Sequence, residues 1–87
     1  MEYDKKKRAE AARFKVFVKT LAGSCYTIYA EKDDTIYRVK QLIEENNGFP
    51  PEKQQLTIMG SYTVLKDGTM LQDYDIHNGD FLSLTYR

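Results

Sequence analysis

Alternating apolar and polar positions mark the beginning of the folded part of the chain. Between residues 14 and 19 every second side chain is apolar, which is the period of a strand that buries one face. The Ala22-Gly23 pair then predicts a turn, and the segment 25–30 alternates again with its even-numbered residues inward. Together the two runs predict an N-terminal hairpin.

A helical period follows after a short polar loop. Ile36, Val39 and Ile43 recur at the spacing of one helical face, and Thr35 is a residue type that caps helix N-termini. Residues 46–51 end the helix, because they include a glycine suited to the left-handed conformation and two prolines that cannot continue a helix. The chain is therefore expected to contain one amphipathic helix.

Three further strands are predicted in the C-terminal half, at residues 56–59, 62–65 and 80–86, with turns between them. This element order predicts an α+β fold of the β-grasp type, in which one helix packs across a mixed sheet. The expected core consists of Val16, Val18, Tyr26, Ile28, Ala30, Ile36, Val39, Ile43, Leu56, Leu65, Leu71, Ile76, Leu82 and Leu84.

Length and charge limit the organisation of the chain. Its 87 residues fit a single domain, which we assign to residues 14–87. Residues 1–13 are dominated by charged side chains without an apolar face, so a flexible tail or linker is expected there. The numbers of basic and acidic residues are equal, 13 each, and neither nucleic-acid nor membrane partners are therefore expected.

Residues capable of catalysis or metal binding are sparse. Cys25 is the single cysteine, so no intrachain disulfide is possible and a reducing cytoplasmic or nuclear setting is expected. No signal or transmembrane segment is expected from the short apolar runs, and we expect a monomer. One cysteine and one histidine, His77, do not make a zinc site, and Cys25 has no neighbouring base in the sequence. We therefore predict a protein that is not an enzyme and has no metal or cofactor.

Several motifs resemble ubiquitin in order and spacing. They are the segments 17–23, 34–36, 48–56, 67–68 and 73–76, and the resemblance extends over residues 14–87. It implies the β-grasp fold already indicated by the element order. Because one fold serves many functions, the resemblance alone does not imply the chemistry of ubiquitin.

Two parts of ubiquitin that carry its function differ here. Ubiquitin's receptor-binding face corresponds to Leu21, Thr57, Ser83 and Thr85, so only the leucine is retained. Its C-terminal Gly-Gly has no equivalent in a chain that ends at Tyr86-Arg87, and the resemblance therefore implies a protein that is not conjugated.

The C-terminal half is similar to the Hub family of ubiquitin-like modifiers. The similarity lies in the segment 62–67, which is two residues longer than in ubiquitin, in residues 71–79 and in the closing Tyr86-Arg87. The N-terminal half is closer to ubiquitin than to that family. Membership implies non-covalent binding in pre-mRNA splicing, with a salt bridge from Asp34 to a short partner helix.

Three sets of partner-binding residues follow from the sequence. Asp34 is the first, and its alternative role is to complement the dipole of the helix that follows. The second is an exposed aromatic patch of Phe17 and Phe81, which the strand alternation turns outward. The third set is Leu21, Phe49 and Tyr86, which match another apolar patch of ubiquitin.

We expect the partners to be other proteins that present a short helix or an apolar patch. Two alternatives stay open at this point. The chain could be a ubiquitin-like domain of a larger protein that docks to the proteasome or the ubiquitin machinery. It could also be a conjugatable modifier whose Gly-Gly is missing from this sequence.

Overall fold

The computed structural model describes residues 14–86, so the predicted tail at residues 1–13 lies outside the described residues. The helices and strands, in chain order, are β1 (Phe14–Thr20), β2 (Cys25–Ala30), helix α1 (Ile36–Asn47), a 3-10 turn (Pro51–Lys53), β3 (Gln54–Ile58), a second 3-10 turn (Leu71–Tyr74) and β4 (Asp80–Tyr86). None of the helices in the described residues is long and apolar enough to cross a membrane.

The four strands form one mixed sheet in the order β2-β1-β4-β3. β1 and β4 are parallel at its centre, whereas β2 pairs antiparallel with β1 and β3 pairs antiparallel with β4. Helix α1 packs across one face of this sheet, and within residues 14–86 no other helix or strand covers the opposite face. The predicted α+β fold of the β-grasp type is thereby confirmed.

The hydrophobic core lies between the helix and the inner face of the sheet. Every residue of the predicted core is buried except Tyr26, which is half-buried and packs against the core from its edge. The reason is its place near the start of β2, an edge strand, whereas Ile28 and Ala30 further along the same strand are buried. The buried residues of α1 include Ile36, Val39 and Ile43, the apolar stripe expected from the sequence.

The N-terminus of α1 is fully capped. The Thr35 hydroxyl accepts a hydrogen bond from the backbone N–H of Arg38 at 3.2 Å, as predicted. The first two helical amides donate to the backbone carbonyls of Thr69 and Asp67, at 2.8 and 3.2 Å. Since these amides are satisfied internally, the helix end offers no free donors to a ligand.

The C-terminus of α1 ends at Gly48, as expected from the sequence. Gly48 has a φ of 79°, and its N–H donates to the carbonyl of Glu44 at 2.8 Å. This is the left-handed cap that glycine adopts without steric strain. It turns the chain sharply into the loop that carries Phe49.

The predicted strand at residues 62–65 is wrong. Only an isolated bridge is present there, between Val64 and Thr57. The Ser61 hydroxyl accepts a hydrogen bond from the Thr63 backbone N–H at 3.1 Å, and this local turn competes with a sheet ladder. The extra length of the segment is taken up by a loop that leaves Tyr62 fully exposed.

Candidate functional site

The outer face of the sheet carries a stacked aromatic pair. Phe17 of β1 and Phe81 of β4 are directly paired in the parallel register, and their ring centroids lie 5.0 Å apart with an interplanar angle of 29°. Phe81 is 43% exposed and Phe17 is half-buried. The structure thus brings together the two residues that the alternation of β1 and β4 predicted as a patch.

A second aromatic pair, Phe49 and Tyr86, lies at the C-terminal end of β4. Phe49 stacks on Tyr86 with ring centroids 4.0 Å apart and an interplanar angle of 18°, and each residue is 42% exposed. Because stacked aromatic rings restrict one another, this pair presents a fixed apolar surface. We refer to Phe49 and Tyr86, with Leu21, as the end patch.

Polar side chains hold the Phe49 loop in place. Asn47 accepts a hydrogen bond from the Phe49 N–H at 3.0 Å, and its own amide donates to the Tyr86 hydroxyl at 3.3 Å. The buried Gln54 amide donates to the Phe49 carbonyl, also at 3.0 Å. Both stacked residues are therefore tied to the same asparagine.

The sequence alone predicts only that Asn47 helps to end the helix, and its hydrogen bonds to Phe49 and Tyr86 are not foreseen. The position of Asn47 two residues before Phe49 is the signal that could have revealed them. Asparagine side chains commonly accept a hydrogen bond from the backbone two residues further on, and such a turn would predict a restrained Phe49.

Leu21 lies in the turn between β1 and β2 and is 88% exposed. The last pair in the parallel register joins Thr20 to Leu84, two residues before Tyr86. The turn therefore lies at the same end of the sheet as the aromatic pair. This placement agrees with the grouping of Leu21, Phe49 and Tyr86 expected from the sequence.

Asp34 lies at the opposite end of β1. One carboxylate oxygen of Asp34 accepts a hydrogen bond from the Glu31 N–H at 2.9 Å, which closes the loop after β2. Phe14 pairs with Ala30 at this end of the strand, so the seven residues of β1 separate Asp34 from the end patch by about 20 Å. Asp34 thus does not belong to the end patch.

Thr35 supplies the side-chain cap of α1, and Asp34 directly precedes it in the chain. The alternative role of Asp34, complementing the helix dipole, stays a prediction. Glu31, Asp33 and Asp34 bring carboxylate oxygens within 4.8 Å of one another. Glu31 and Asp33 are exposed. An acidic surface turn of this kind is common in proteins without a metal ion.

The receptor face of ubiquitin is polar in this chain. Thr57 pairs with Ser83, and Gln55 pairs with Thr85, across the β3–β4 ladder. These side chains are half-buried and lie beside one another on the outer face. An apolar anchor is therefore lacking at the positions that correspond to ubiquitin's isoleucine and valine.

Cys25 and His77, whose side chains could in principle act as a nucleophile and a base, lie in different parts of the fold. Cys25 is exposed at the start of β2. His77 lies in the turn before β4, where its Nε2 is 3.2 Å from a carboxylate oxygen of Asp75 and its side chain is 69% exposed. No hydrogen bond joins Cys25 to a base among the described residues.

Tyr74 serves the structure of the loop before β4. Its hydroxyl accepts a hydrogen bond from the Lys66 N–H at 3.0 Å. Hydrogen bonds from the Thr69 side chain and from the Lys66 backbone lower the pKa of Tyr74 below its usual value of 10.0. This tie to the backbone holds the Tyr74 side chain, which also packs against the core.

Comparisons with known proteins agree on one family. A protein-family model with the description "Ubiquitin family" matches residues 16–87. The NEDD8-like protein RUB1 of Saccharomyces cerevisiae is 40% identical over 71% of this chain and 86% of its own length. Ubiquitin-like protein 5 of Drosophila melanogaster is 37% identical, over 75% of this chain and 86% of its own length.

A different kind of relative matches the same fold within a longer protein. The probable ubiquitin receptor RAD23 of Oryza sativa subsp. japonica is 36% identical over 84% of this chain but only 19% of its own length. The fold, the family match and the relatives all agree, and this chain belongs to the ubiquitin family.

Proposed function

We propose that the chain is a non-catalytic module that binds other proteins without being conjugated to them, and that its partners belong to the pre-mRNA splicing machinery. Proteins of this fold include modifiers that are conjugated to other proteins and modifiers that bind them non-covalently. The proposal therefore depends on the surface features of this chain. The Hub-like segments at residues 71–79 and Tyr86-Arg87 support the splicing context.

The observation that carries the proposal is the end patch. Phe49 and Tyr86 each keep 42% of their surface exposed, although both are large apolar residues and lie in contact with each other. Aromatic residues held in one conformation are effective binding anchors, because little side-chain entropy remains to be lost on association. The hydrogen bonds of Asn47 supply this restraint.

A short amphipathic helix fits this surface well. Leu21 is almost entirely exposed and lies at the same end of the sheet, so the three side chains offer separate contacts to one apolar helix face. Asp34 would engage a cation on the same partner only if the partner spans about 20 Å, which an α-helix does in about 13 residues.

The test is an affinity pull-down from nuclear and cytoplasmic lysates with the complete 87-residue chain, analysed by mass spectrometry. We expect spliceosomal proteins to be recovered by the wild type and lost with Phe49→Ser, because this change removes an exposed anchor outside the core. Asp34→Ala is tested in parallel, with Asp33→Ala as the matched control for loss of an acidic residue from the same loop.

Tyr62→Ser is the control for the loss of an exposed aromatic side chain. Tyr62 is the most exposed large apolar residue among those described, and it lies in the loop after β3, away from the end patch. If Tyr62→Ser removes the same proteins as Phe49→Ser, binding does not depend on the end patch. If Asp34→Ala has no effect while Phe49→Ser does, the salt bridge expected from the Hub resemblance is absent.

The RAD23 relative favours a second candidate function. Its match to this fold occupies only a small part of that protein, which is named as a probable ubiquitin receptor. In this case the chain would be a docking domain for the proteasome or ubiquitin machinery. Recovery of proteasome subunits in place of splicing proteins, sensitive to Phe49→Ser, would support this candidate and contradict the splicing proposal.

A conjugated modifier is the remaining alternative, because NEDD8-like proteins are among the relatives. It is tested by expressing the full reading frame with an N-terminal epitope tag and examining denatured lysates. Tagged species of higher mass that survive boiling in detergent would contradict the non-covalent proposal. We expect the free protein alone.

A further inference from the structure

The outer face of the sheet has an apolar row that the end patch does not include. Across the strands, Thr27 of β2 pairs with Phe17 of β1, which in turn pairs with Phe81 of β4. The backbone N–H of Met59 donates to the Phe81 carbonyl at 3.2 Å and continues the row beyond β3. Met59 is 42% exposed, so the row is accessible along much of its length.

A groove lies at the Met59 end of this row. It has a volume of about 340 Å³, and the residues that line it include the apolar Ile58, Met59 and Phe81. Asp80 also lines it, and one oxygen of its carboxylate accepts a hydrogen bond from the His77 N–H at 2.8 Å. A space of this size admits one large apolar side chain of a partner.

The charged side chains that the strands turn outward on this face are both lysines. Lys15 and Lys19 flank Phe17 on β1, and both are exposed. The other outward-facing residues of the four described strands carry no charge, whereas the groove itself is lined by one carboxylate, that of Asp80. The uncharged residues are Cys25, Thr27, Tyr29, Gln55, Thr57, Phe81, Ser83 and Thr85.

We propose that this face binds an acidic protein segment with one large apolar side chain, which enters the groove beside Met59 while carboxylates pair with Lys15 and Lys19. The inference takes from the proposed function only that the chain binds proteins, and it concerns a different surface. Charge complementarity selects the acidic partner, and burial of the apolar anchor supplies most of the affinity.

The sheet geometry limits the spacing of the partner's residues. Met59 and the lysines of β1 are separated by two strand intervals, or about 10 Å. An extended segment rises about 3.3 Å per residue, so the anchor and the first carboxylate should be about three positions apart. In a helix the same distance corresponds to about seven residues.

Nucleic acid and lipid surfaces fit this face less well. A base stacks on the face of an aromatic ring, and the mutual stacking of Phe17 and Phe81 already covers one face of each ring. Two lysines also give far less positive field than the basic clusters that bind anionic membranes. Both classes are nevertheless included in the test as competing outcomes.

The test begins with selection of binders to the complete chain from a phage-displayed library of random peptides. Counter-selection uses the Phe17→Thr/Phe81→Thr variant, which keeps residues suited to strands and already present on this face. We expect enriched peptides to combine an aromatic or leucine residue with acidic residues about three positions away in an extended peptide. Enrichment without acidic residues, or no enrichment over the variant, would overturn the proposal.

The best peptide is then synthesised, and its dissociation constant is measured by isothermal titration calorimetry. We expect Phe17→Thr/Phe81→Thr to weaken binding about tenfold or more, since an apolar contact is lost. Lys15→Glu/Lys19→Glu should weaken it comparably and reverse its salt dependence. Lys53→Glu/Lys66→Glu is the matched control, because both lysines are exposed outside this face. Equal loss with the control would contradict the assigned surface.

Two further measurements separate this inference from the proposed function. A selected peptide that depends on Phe49 and is unaffected by Phe17→Thr/Phe81→Thr would overturn the inference and leave the end patch as the binding site. Binding of single-stranded poly(U) RNA, or of phosphatidylcholine vesicles containing phosphatidylserine, that is stronger than peptide binding and lost in Lys15→Glu/Lys19→Glu would also overturn it. Unchanged chemical shifts of the core residues confirm that each variant is folded.

Discussion

An ion pair between Lys40 and Asp67 joins the helix to the loop that follows residue 65. The Lys40 ammonium lies 2.6 Å from a carboxylate oxygen of Asp67, and the Lys40 side chain is only 8% exposed. Asp67 is 52% exposed. We therefore predict that Asp67→Ala destabilises the protein strongly, because it leaves a buried ammonium without its counter-charge.

The size of the effect follows from this unequal burial. Removing one partner of a fully buried pair costs about 3–5 kcal/mol, and exposed pairs contribute about 0–1 kcal/mol. With one partner buried and the other half-exposed, we expect a loss of about 2–3 kcal/mol in the free energy of unfolding. In a domain of this size that corresponds to a decrease of roughly 8–24 °C in Tm.

Urea unfolding followed by far-UV circular dichroism measures the effect. Asp33→Ala is the control, since Asp33 is exposed and its loss should change the stability by less than about 0.5 kcal/mol. Lys40→Met should be less harmful than Asp67→Ala, because it removes the buried charge and keeps an apolar stem of similar length. In the Lys40→Met background, Asp67→Ala should have little further effect.

Equal costs of Asp67→Ala in the wild-type and Lys40→Met backgrounds would refute this reasoning. Such a result would mean that the loss arises elsewhere in the Asp67 loop. That loop also contacts the helix through its backbone, since the carbonyl of Asp67 accepts a hydrogen bond from the Tyr37 N–H. Asp67→Asn removes the charge and keeps the size of the side chain, so it separates loss of the ion pair from disturbance of the loop.

Three other changes test the assignments made above. Tyr74→Phe should cost about 1 kcal/mol near neutral pH, because the Lys66 N–H loses its acceptor. The hydrogen bonds of Tyr74 also lower its pKa, so a further contribution linked to ionisation should appear as pH rises through the lowered pKa toward 10.0 and be absent below it, which urea unfolding of both proteins at several pH values measures. Gly48→Ala should cost about 1 kcal/mol through the left-handed backbone alone, whereas Gly68→Ala should be nearly neutral, and thermal unfolding of both variants compares them; equal losses would contradict this. Cys25 should react with a maleimide in the folded protein almost as fast as in urea, as followed by mass spectrometry; slow native labelling would contradict its exposure.

The sequence was sufficient to predict the fold because its local signals and its global pattern agree. The alternation in β1 and β2, the stripe on α1 and the cap at Thr35 each indicate the same element without reference to distant residues. Alternation alone predicts that Phe17 and Phe81 face outward, whereas their pairing needs the resemblance to ubiquitin-like folds, which implies that the first and last strands are neighbours. The local features depend on short-range periodicity, which a sequence displays directly.

Contacts between distant segments were harder to predict. Lys40 and Asp67 are 27 residues apart, and nothing in the helix pattern shows that this lysine points inward. The segment 62–65 has the apolar and β-branched residues of a strand, but its pairing fails because Ser61 and Thr63 form a local turn. Register and long-range ion pairs depend on the assembled structure.

The position of apolar residues on the outer face explains how this chain can differ from ubiquitin in partners and not in fold. The core lies on the inner face of the sheet, so outward-facing residues can change without loss of the buried apolar contacts. At Thr57, Ser83 and Thr85 the face is polar, whereas one row away Phe17 and Phe81 are stacked. A partner that requires the ubiquitin anchors would leave its own apolar side chains against hydroxyl groups, which weakens binding. A partner complementary to the stacked phenylalanines and to Lys15 and Lys19 would gain contacts that ubiquitin's receptor face is not arranged to give. A surface that favours such a partner therefore disfavours the receptors of ubiquitin.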